Sequence, residues 1–379
     1  MLIQNGLIHD AVNETPYRAD IRTANGKIAE IGRALSAAPG EEVFDAAGLN
    51  VYPGFVEAHG HSGLDGYGIG YEGQDYNEMN DAVSPQLRAI DAIEPSDPAL
   101  KEAREAGVTC LCIGPGSANV LGGTFCVFKP SGVCIDEMFV VEEAAMKCAF
   151  GENPKRCYRE KGISTRMSTA AKLREALFKA GEYLRKIERA GDNPDKLPAF
   201  DMKHHALIPV LRGEMPLKAH AHQADDILTA LRIAREFGVK VTLEHVTEGH
   251  LIADKLAQAG VPLAVGPSLT HASKFELRNK TWDTPGVLSR AGCQVSIITD
   301  SPVIPQNYLA LCAALAIRSG MDEFEALKAI TINPARHIGV DGRLGSIERG
   351  KDADLVIADG SPFEIQTRIV RVYIDGQRM

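Results

Sequence analysis

No stretch of this 379-residue chain approaches the roughly 20 consecutive apolar residues of a membrane span, so membrane insertion is not expected. The eight cysteines, Cys110, Cys112, Cys126, Cys134, Cys148, Cys157, Cys293 and Cys312, lack C-x-x-C spacing. They read as reduced, mostly buried thiols of a cytoplasmic protein. The opening Met1-Leu2-Ile3-Gln4-Asn5-Gly6 has no basic region followed by an apolar one, and no secretory signal is expected. Positive charge is also short. Lys and Arg number 41 against 50 Asp and Glu, a net of −9, which argues against a nucleic-acid surface. The expected partner is a small-molecule substrate, with neither nucleic acid nor membrane, and a homo-oligomer is compatible with the chain.

Both ends of the chain carry strand patterns. Leu2-Ile3, Leu7-Ile8, Ala19 to Arg22 and Lys27 to Ile31 alternate polar and apolar residues, with turns at Asn5-Gly6 and Asn25-Gly26. Ala353 to Ile357 and Val370 to Ile374 do the same near the far end. A small composite β-sandwich built from both termini, residues 1–52 plus 340–379, is the expectation. The middle alternates short apolar runs with helical stretches, the pattern of βα units around a parallel sheet. The predicted strands are Val51 to Val56, Val108 to Ile113, Phe125 to Phe128, Ala144 to Ala149, Pro216 to Ala219, Lys240 to Glu244, Pro262 to Val265 and Gln294 to Thr299. The clearest predicted helix is Ala224 to Phe237, with an apolar stripe of Ile227, Leu228, Leu231, Ala234 and Phe237. Eight such units predict a (β/α)8 TIM barrel over residues 53–339, in keeping with the roughly 250 residues such barrels use.

In a barrel of this kind, chemistry gathers where strands end. The first predicted strand ends in His59-Gly60-His61, and residues two apart on a strand share a face. The fifth ends in His220-Ala221-His222, the sixth in Glu244-His245 and the eighth in Thr299-Asp300. Several imidazoles and a carboxylate at strand exits point to a bound metal rather than to core packing. Nitrogen and oxygen donors suit zinc first, with manganese, iron or cobalt also accommodated. Such an ion lowers the pKa of its water to about 7. Asp300 is placed to carry that water's proton to a leaving group.

Pro53-Gly54-Phe55-Val56-Glu57-Ala58-His59-Gly60-His61, then Ala219-His220, Glu244-His245 and Thr299-Asp300, resemble motifs of the amidohydrolase superfamily. Asn333-Pro334-Ala335-Arg336 and the run Gly345 to Val356 extend that resemblance over nearly the whole chain, towards the imidazolonepropionase- and prolidase-related branch. The resemblance implies a metal-dependent barrel with a β-sandwich. His59, His61 and Asp300 would hold one metal, His220 and His245 a second. A carboxylated lysine of the fourth strand would bridge the two. Lys147 is the residue that implies, with Glu152 on the next loop and Lys129 after the third strand as rivals. One or two ions are both compatible. Two departures stand out. Glu57 occupies a place where Asp is usual, and Ser301 follows Asp300 where imidazolonepropionases tend to carry His, which argues against that activity itself.

Loops supply candidate substrate contacts. The long segment Ser62 to Pro98 is expected to act as a lid. Gly114 to Asn119 and Gly122-Gly123-Thr124 bring bare backbone to the barrel mouth, for close packing more than for phosphate. Asn153, Arg156 and Arg166 after the fourth strand offer amides and cations for a substrate carboxylate. Arg278 and His271 lie after the seventh strand, with His271 expected to polarise the substrate carbonyl, and His222 is expected on the loop after the fifth as a substrate group. The resulting expectation is a metal-dependent hydrolase that cleaves a C–N bond of a cyclic amide, an acylated amide or a dipeptide-like molecule. A deaminase of an aminated heterocycle on the same barrel, or a non-catalytic relative, are the alternatives.

Overall fold

The computed structural model describes residues 1–379. Their strands form two sheets of eight. In the first, Leu2–Ile8 is one continuous strand, bulged near Asn5, and pairs antiparallel with Tyr17–Ala24, which pairs with Lys27–Gly32. Asn50–Pro53 lies between Leu2–Ile8 and Leu355–Ala358. Ile369–Ile374 and Gln377–Arg378 extend that edge, while Val43–Asp45 adds to Leu2–Ile8. Both ends of the chain therefore share a single hydrogen-bonded sheet. Its inward positions, among them Ile3, Ile8, Ile21, Val51, Leu355 and Tyr373, form a buried apolar cluster, as a period-two pattern requires.

After Pro53 the chain leaves that sheet and enters the second. Its strands are β1 (Phe55–Gly60), β2 (Val108–Ile113), β3 (Leu121–Phe128), β4 (Phe139–Ala149), β5 (Leu217–Ala221), β6 (Val241–His245), β7 (Leu263–Val265) and β8 (Val295–Ile297). They neighbour one another in chain order and curl into a nearly closed barrel. Every ladder is parallel except the two made by β3, which runs antiparallel to both β2 and β4. The expected series of eight βα units is thus interrupted. Only residues 114–120 join β2 to β3, fewer than the dozen or so that a parallel crossover needs. Gly123 is required inside β3: its φ is +109°, and a Cβ there would lie 2.2 Å from the Leu87 carbonyl oxygen.

β1 and β8 close the barrel without a ladder of their own. A side chain takes the ladder's place. Glu57 Oε2 accepts from Thr299 N at 3.0 Å and from Thr299 Oγ1 at 2.5 Å. Above it, His61 N donates to Ser301 O at 2.7 Å. The residue that departs from the usual Asp therefore acts as a seam. Burial raises its pKa to about 8, although the Thr299 bonds pull the other way.

The helix Ala224–Phe237 has the predicted bounds and buries Ile227, Ala230, Leu231 and Ala234. It stops at Gly238, left-handed at φ +65°. Helices also follow β4 (Arg166–Ala190), β6 (Ala253–Ala259), β7 (Asp283–Arg290) and β8 (Leu309–Arg318). No helix is long and apolar enough to cross a membrane.

Candidate metal centre

Each of the five strand-exit imidazoles is tied at its outer nitrogen. His61 Nδ1 lies 2.7 Å from Gly114 O, and His245 Nδ1 lies 2.9 Å from Gly266 O. His59 Nδ1 is 3.1 Å from Glu244 Oε2. His220 Nδ1 meets Ser117 Oγ and His222 Nδ1 meets Thr247 Oγ1, both at 2.7 Å. A carbonyl oxygen only accepts, so His61 and His245 carry a proton on Nδ1, and Nε2 is the nitrogen that faces inward as the potential ligand. Burial pushes the pKa of His59, His220 and His222 well below the ordinary value and that of His245 to about 4, which keeps these rings neutral.

The inner nitrogens converge. His59 Nε2 and His61 Nε2 lie 3.6 and 3.3 Å from Asp300 Oδ1. The His220 and His245 rings stand 4.3 Å apart, and His222 and His245 4.6 Å. Two groups of potential ligand atoms result, His59–His245–Asp300 and His220–His222–His245, each within 4.8 Å, with His245 in both. His245 Nε2, His220 Nε2 and Asp300 Oδ1 are buried with no hydrogen-bond partner. Orphaned polar atoms of this kind are costly unless something outside the chain satisfies them. The backbone is bent to hold them, with φ of +75° at His245 and +54° at Asp300. Non-glycine residues adopt such angles at a cost of about 1–3 kcal/mol each, and mostly at functional sites.

Lys147 joins this cluster. It is fully buried on β4, with Nζ 3.1 Å from His59 Nε2. Burial lowers its pKa to about 8, despite the opposing pull of Asp300 and Glu244. Its rivals fall elsewhere. Lys129 leaves β3 at the opposite end of the barrel, because that strand is reversed, and pairs there with Asp352, Asp354 and Asp375. Glu152 opens a short helix and gives only its backbone N–H to Glu276.

The other expected contacts divide. His222 is not on a loop surface: it is 3% exposed and packed into the imidazole cluster. Asn153 accepts from Lys274 at 3.2 Å, and Lys274 pairs with Glu276 at 2.6 Å. Arg166 stands at the rim, paired with Asp225 at 2.6 Å. Arg278 lies over the Phe275 ring and 3.5 Å from Glu248. Arg156 is exposed and unpaired, and His271 is exposed with no hydrogen bond to its ring. His271 therefore stands outside the imidazole cluster. Residues 114–119 pack as expected, with Asn119 bonding Glu78 O and Asp81 O. From the segment after β1, Tyr76 stacks on His61 at 5.3 Å.

Sequence pattern misses one acid. Glu276 is 1% exposed, and its Oε1 lies 3.7 Å from both His220 Nε2 and His222 Nε2. It sits in a single 3-10 turn, Phe275–Leu277, within the loop after β7, too short for periodicity to mark a side chain as inward. Glu244, in sequence no more than part of a motif, is a hub. It is bonded to His59, to Lys218 at 2.9 Å and to His337 at 2.8 Å.

Comparison with known proteins places this geometry. A family model described as the amidohydrolase family matches residues 208–379. A structurally characterised amidohydrolase from Thermotoga maritima MSB8 is 41% identical, with a TM-score of 0.96 over 100% of this chain and 98% of that one. The chain belongs to the amidohydrolase family. Amidohydrolase tasK of Hapsidospora irregularis is 28% identical over 388 residues, covering 95% of this chain. This chain spans only 40% of that relative's length. An imidazolonepropionase of Thermoplasma acidophilum is 25% identical over 368 residues, covering 89% of this chain and 82% of its own.

The donor set of this amidohydrolase fits a divalent metal: neutral imidazoles with inward Nε2 atoms, a carboxylate kept ionised, and unpartnered atoms at the point of convergence. Burial opposes ionisation of Asp300, but the His245 and His61 rings hold its pKa below the ordinary range.

Proposed function

We propose that this protein is a metal-dependent hydrolase of a C–N bond in a small cyclic amide, acylated amide or dipeptide-like molecule, with zinc as the metal. The observation that carries the reading is the shared posture of the five rings, each with Nδ1 held by the protein and Nε2 turned to a common centre. His59, His61 and Asp300 would hold one ion, and His220, His222 and His245 a second, with Lys147 between the two sets. When bound, the metal acidifies a water and polarises the substrate carbonyl.

The chain does the rest. Asp300 takes the proton of the attacking water at Oδ1, the atom left without a partner, and delivers it to the departing nitrogen. Glu244 and the Gly114 and Gly266 carbonyls keep the rings from rotating during that transfer. Only glycine fits at 266, because φ there is +147° and a Cβ would lie 2.1 Å from Ile298 O. Arg278 and Arg166, on either side of Gln223 at the rim, orient a carboxylate of the substrate, and Tyr76 shields His61 from water.

The test is elemental analysis of the purified protein followed by a screen over N-acyl amino acids, dipeptides, cyclic amides and aminated heterocycles. Stoichiometric metal with turnover of an amide supports the reading. Ammonia release from the heterocycles alone would replace it with a deaminase, and metal-free, inactive protein would leave a scaffold.

A further inference from the structure

A cavity of about 1130 Å³ opens at the end of the barrel away from the imidazoles. Lys218, Lys240 and Val241 line it from the starts of β5 and β6, the strands whose other ends carry His220, His222 and His245. Its volume is slightly above the roughly 300–1,000 Å³ of pockets that hold small ligands.

The lining is chemically sorted. Arg235, Lys240, Lys255 and Arg336 stand exposed at the mouth, and none of them is in an ion pair. Only two carboxylates, Glu143 and Glu214, share that lining. Unpaired cations gathered in this way, in a chain of net charge −9, create a local field that attracts anions. Leu231, Val261 and Ile338 give the walls an apolar surface. At the floor lies His337, 5% exposed, with Nε2 bonded to Glu244 and Nδ1 buried without a partner. A buried nitrogen left unpaired is rare and calls for a partner from outside the chain.

We propose that this cavity is a second binding site, for an organic anion whose phosphate, sulfonate or carboxylate head meets the mouth cations. The apolar body lies along the walls, and a polar group on it reaches His337 Nδ1. The proposal does not rest on the hydrolytic reading, because no residue of the cavity is a metal-ligand candidate, although His337 and Lys218 touch the centre's support through Glu244.

Anilinonaphthalene sulfonate, an anion with an aromatic body, is a direct probe by its fluorescence. Titrated into the metal-loaded protein, it should bind saturably at one site. The exposed double substitution Lys240→Gln/Arg336→Gln should weaken binding by about tenfold or more, the effect of one lost charged contact of roughly 1.4 kcal/mol. Circular dichroism and metal content should stay at parental values. Phenylnaphthylamine, which keeps the body and lacks the sulfonate, should bind at least about tenfold more weakly than the anion. Equal affinity of the double variant for the sulfonate, equal affinity of the parent for both dyes, or no saturable binding would each overturn the proposal.

Discussion

Glu244 Oε2 lies 3.1 Å from His59 Nδ1, and neither side chain has any exposure to solvent. The carboxylate of β6 thus orients a ring of β1 across the barrel, and His59 Nε2 has no choice but to face Asp300 and Lys147. Glu244→Gln should lower metal affinity about 10–100-fold, the usual effect of losing a partner behind a ligand. Chelator competition reads that number, and parental affinity would show that the ring holds its position unaided.

Asp300 and His59 should fail differently. Asp300→Asn keeps an oxygen donor and loses the proton acceptor, so turnover should drop about 10²–10⁴-fold with metal content largely kept. His59→Ala should lose both metal and activity. Elemental analysis beside steady-state kinetics separates the two, and an Asn variant working at the parental rate would sink the proton route.

Lys147 has a pKa near 8 and no room for a solvated ammonium. Its neutral amine can add to the carbon of carbon dioxide, losing one proton to give a carbamate anion. Metal-stripped protein reloaded in bicarbonate-supplemented buffer should therefore take up more metal than in degassed buffer. Lys147→Met should abolish that difference, and a parent indifferent to bicarbonate would remove the carbamate.

If Arg278 orients a substrate carboxylate, Arg278→Ala should raise KM for acidic substrates about tenfold with kcat little changed, the sign of lost uniform binding. Neutral analogues should show no such change. A fall in kcat alone would place Arg278 in the chemistry instead.

Lys129, 4% exposed, lies 2.9, 2.9 and 2.6 Å from Asp352, Asp354 and Asp375. Lys129→Met should cost about 3–5 kcal/mol in chemical denaturation, because buried carboxylates lose their counter-charge. Burial opposes ionisation of Asp352, but Lys27, Lys129 and Arg343 overcome it and hold the pKa at about 2. That value lies below the unfolded one of about 3.9. The stabilisation from Asp352 is therefore present above about pH 4 and is lost as pH falls toward 2, whereas burial raises the pKa of Asp354 to about 6, so that group works in the opposite sense between about pH 4 and 6. Acid unfolding should begin at higher pH in the variant, and identical acid transitions would deny the cluster this role.

Much of the candidate site was legible because the clustered residues coincide with the ends of strongly apolar strands, where His and Asp have no packing reason to occur. Lys147 was reached only through the family resemblance. Glu276 was not reached, since a single 3-10 turn within a loop is too short to show a period and so which side chain turns inward. The direction of β3 was hidden for another reason: Phe125-Cys126-Val127-Phe128 is equally apolar read either way. Only the short link through residues 114–120 limits it. Both termini were seen as strands, but that they meet through residues 50–53 depends on pairings far apart in sequence.

The reversal of β3 has a mechanical meaning. The turn before it carries Ser117, which grips His220, and its far end delivers Lys129 into the carboxylates of the terminal sheet. One strand with its flanking residues thus links the imidazole cluster to the joint between the two sheets. Heat that loosens the joint is therefore expected to disturb the imidazole cluster as well, so a thermal scan should show loss of activity and melting as one transition rather than two.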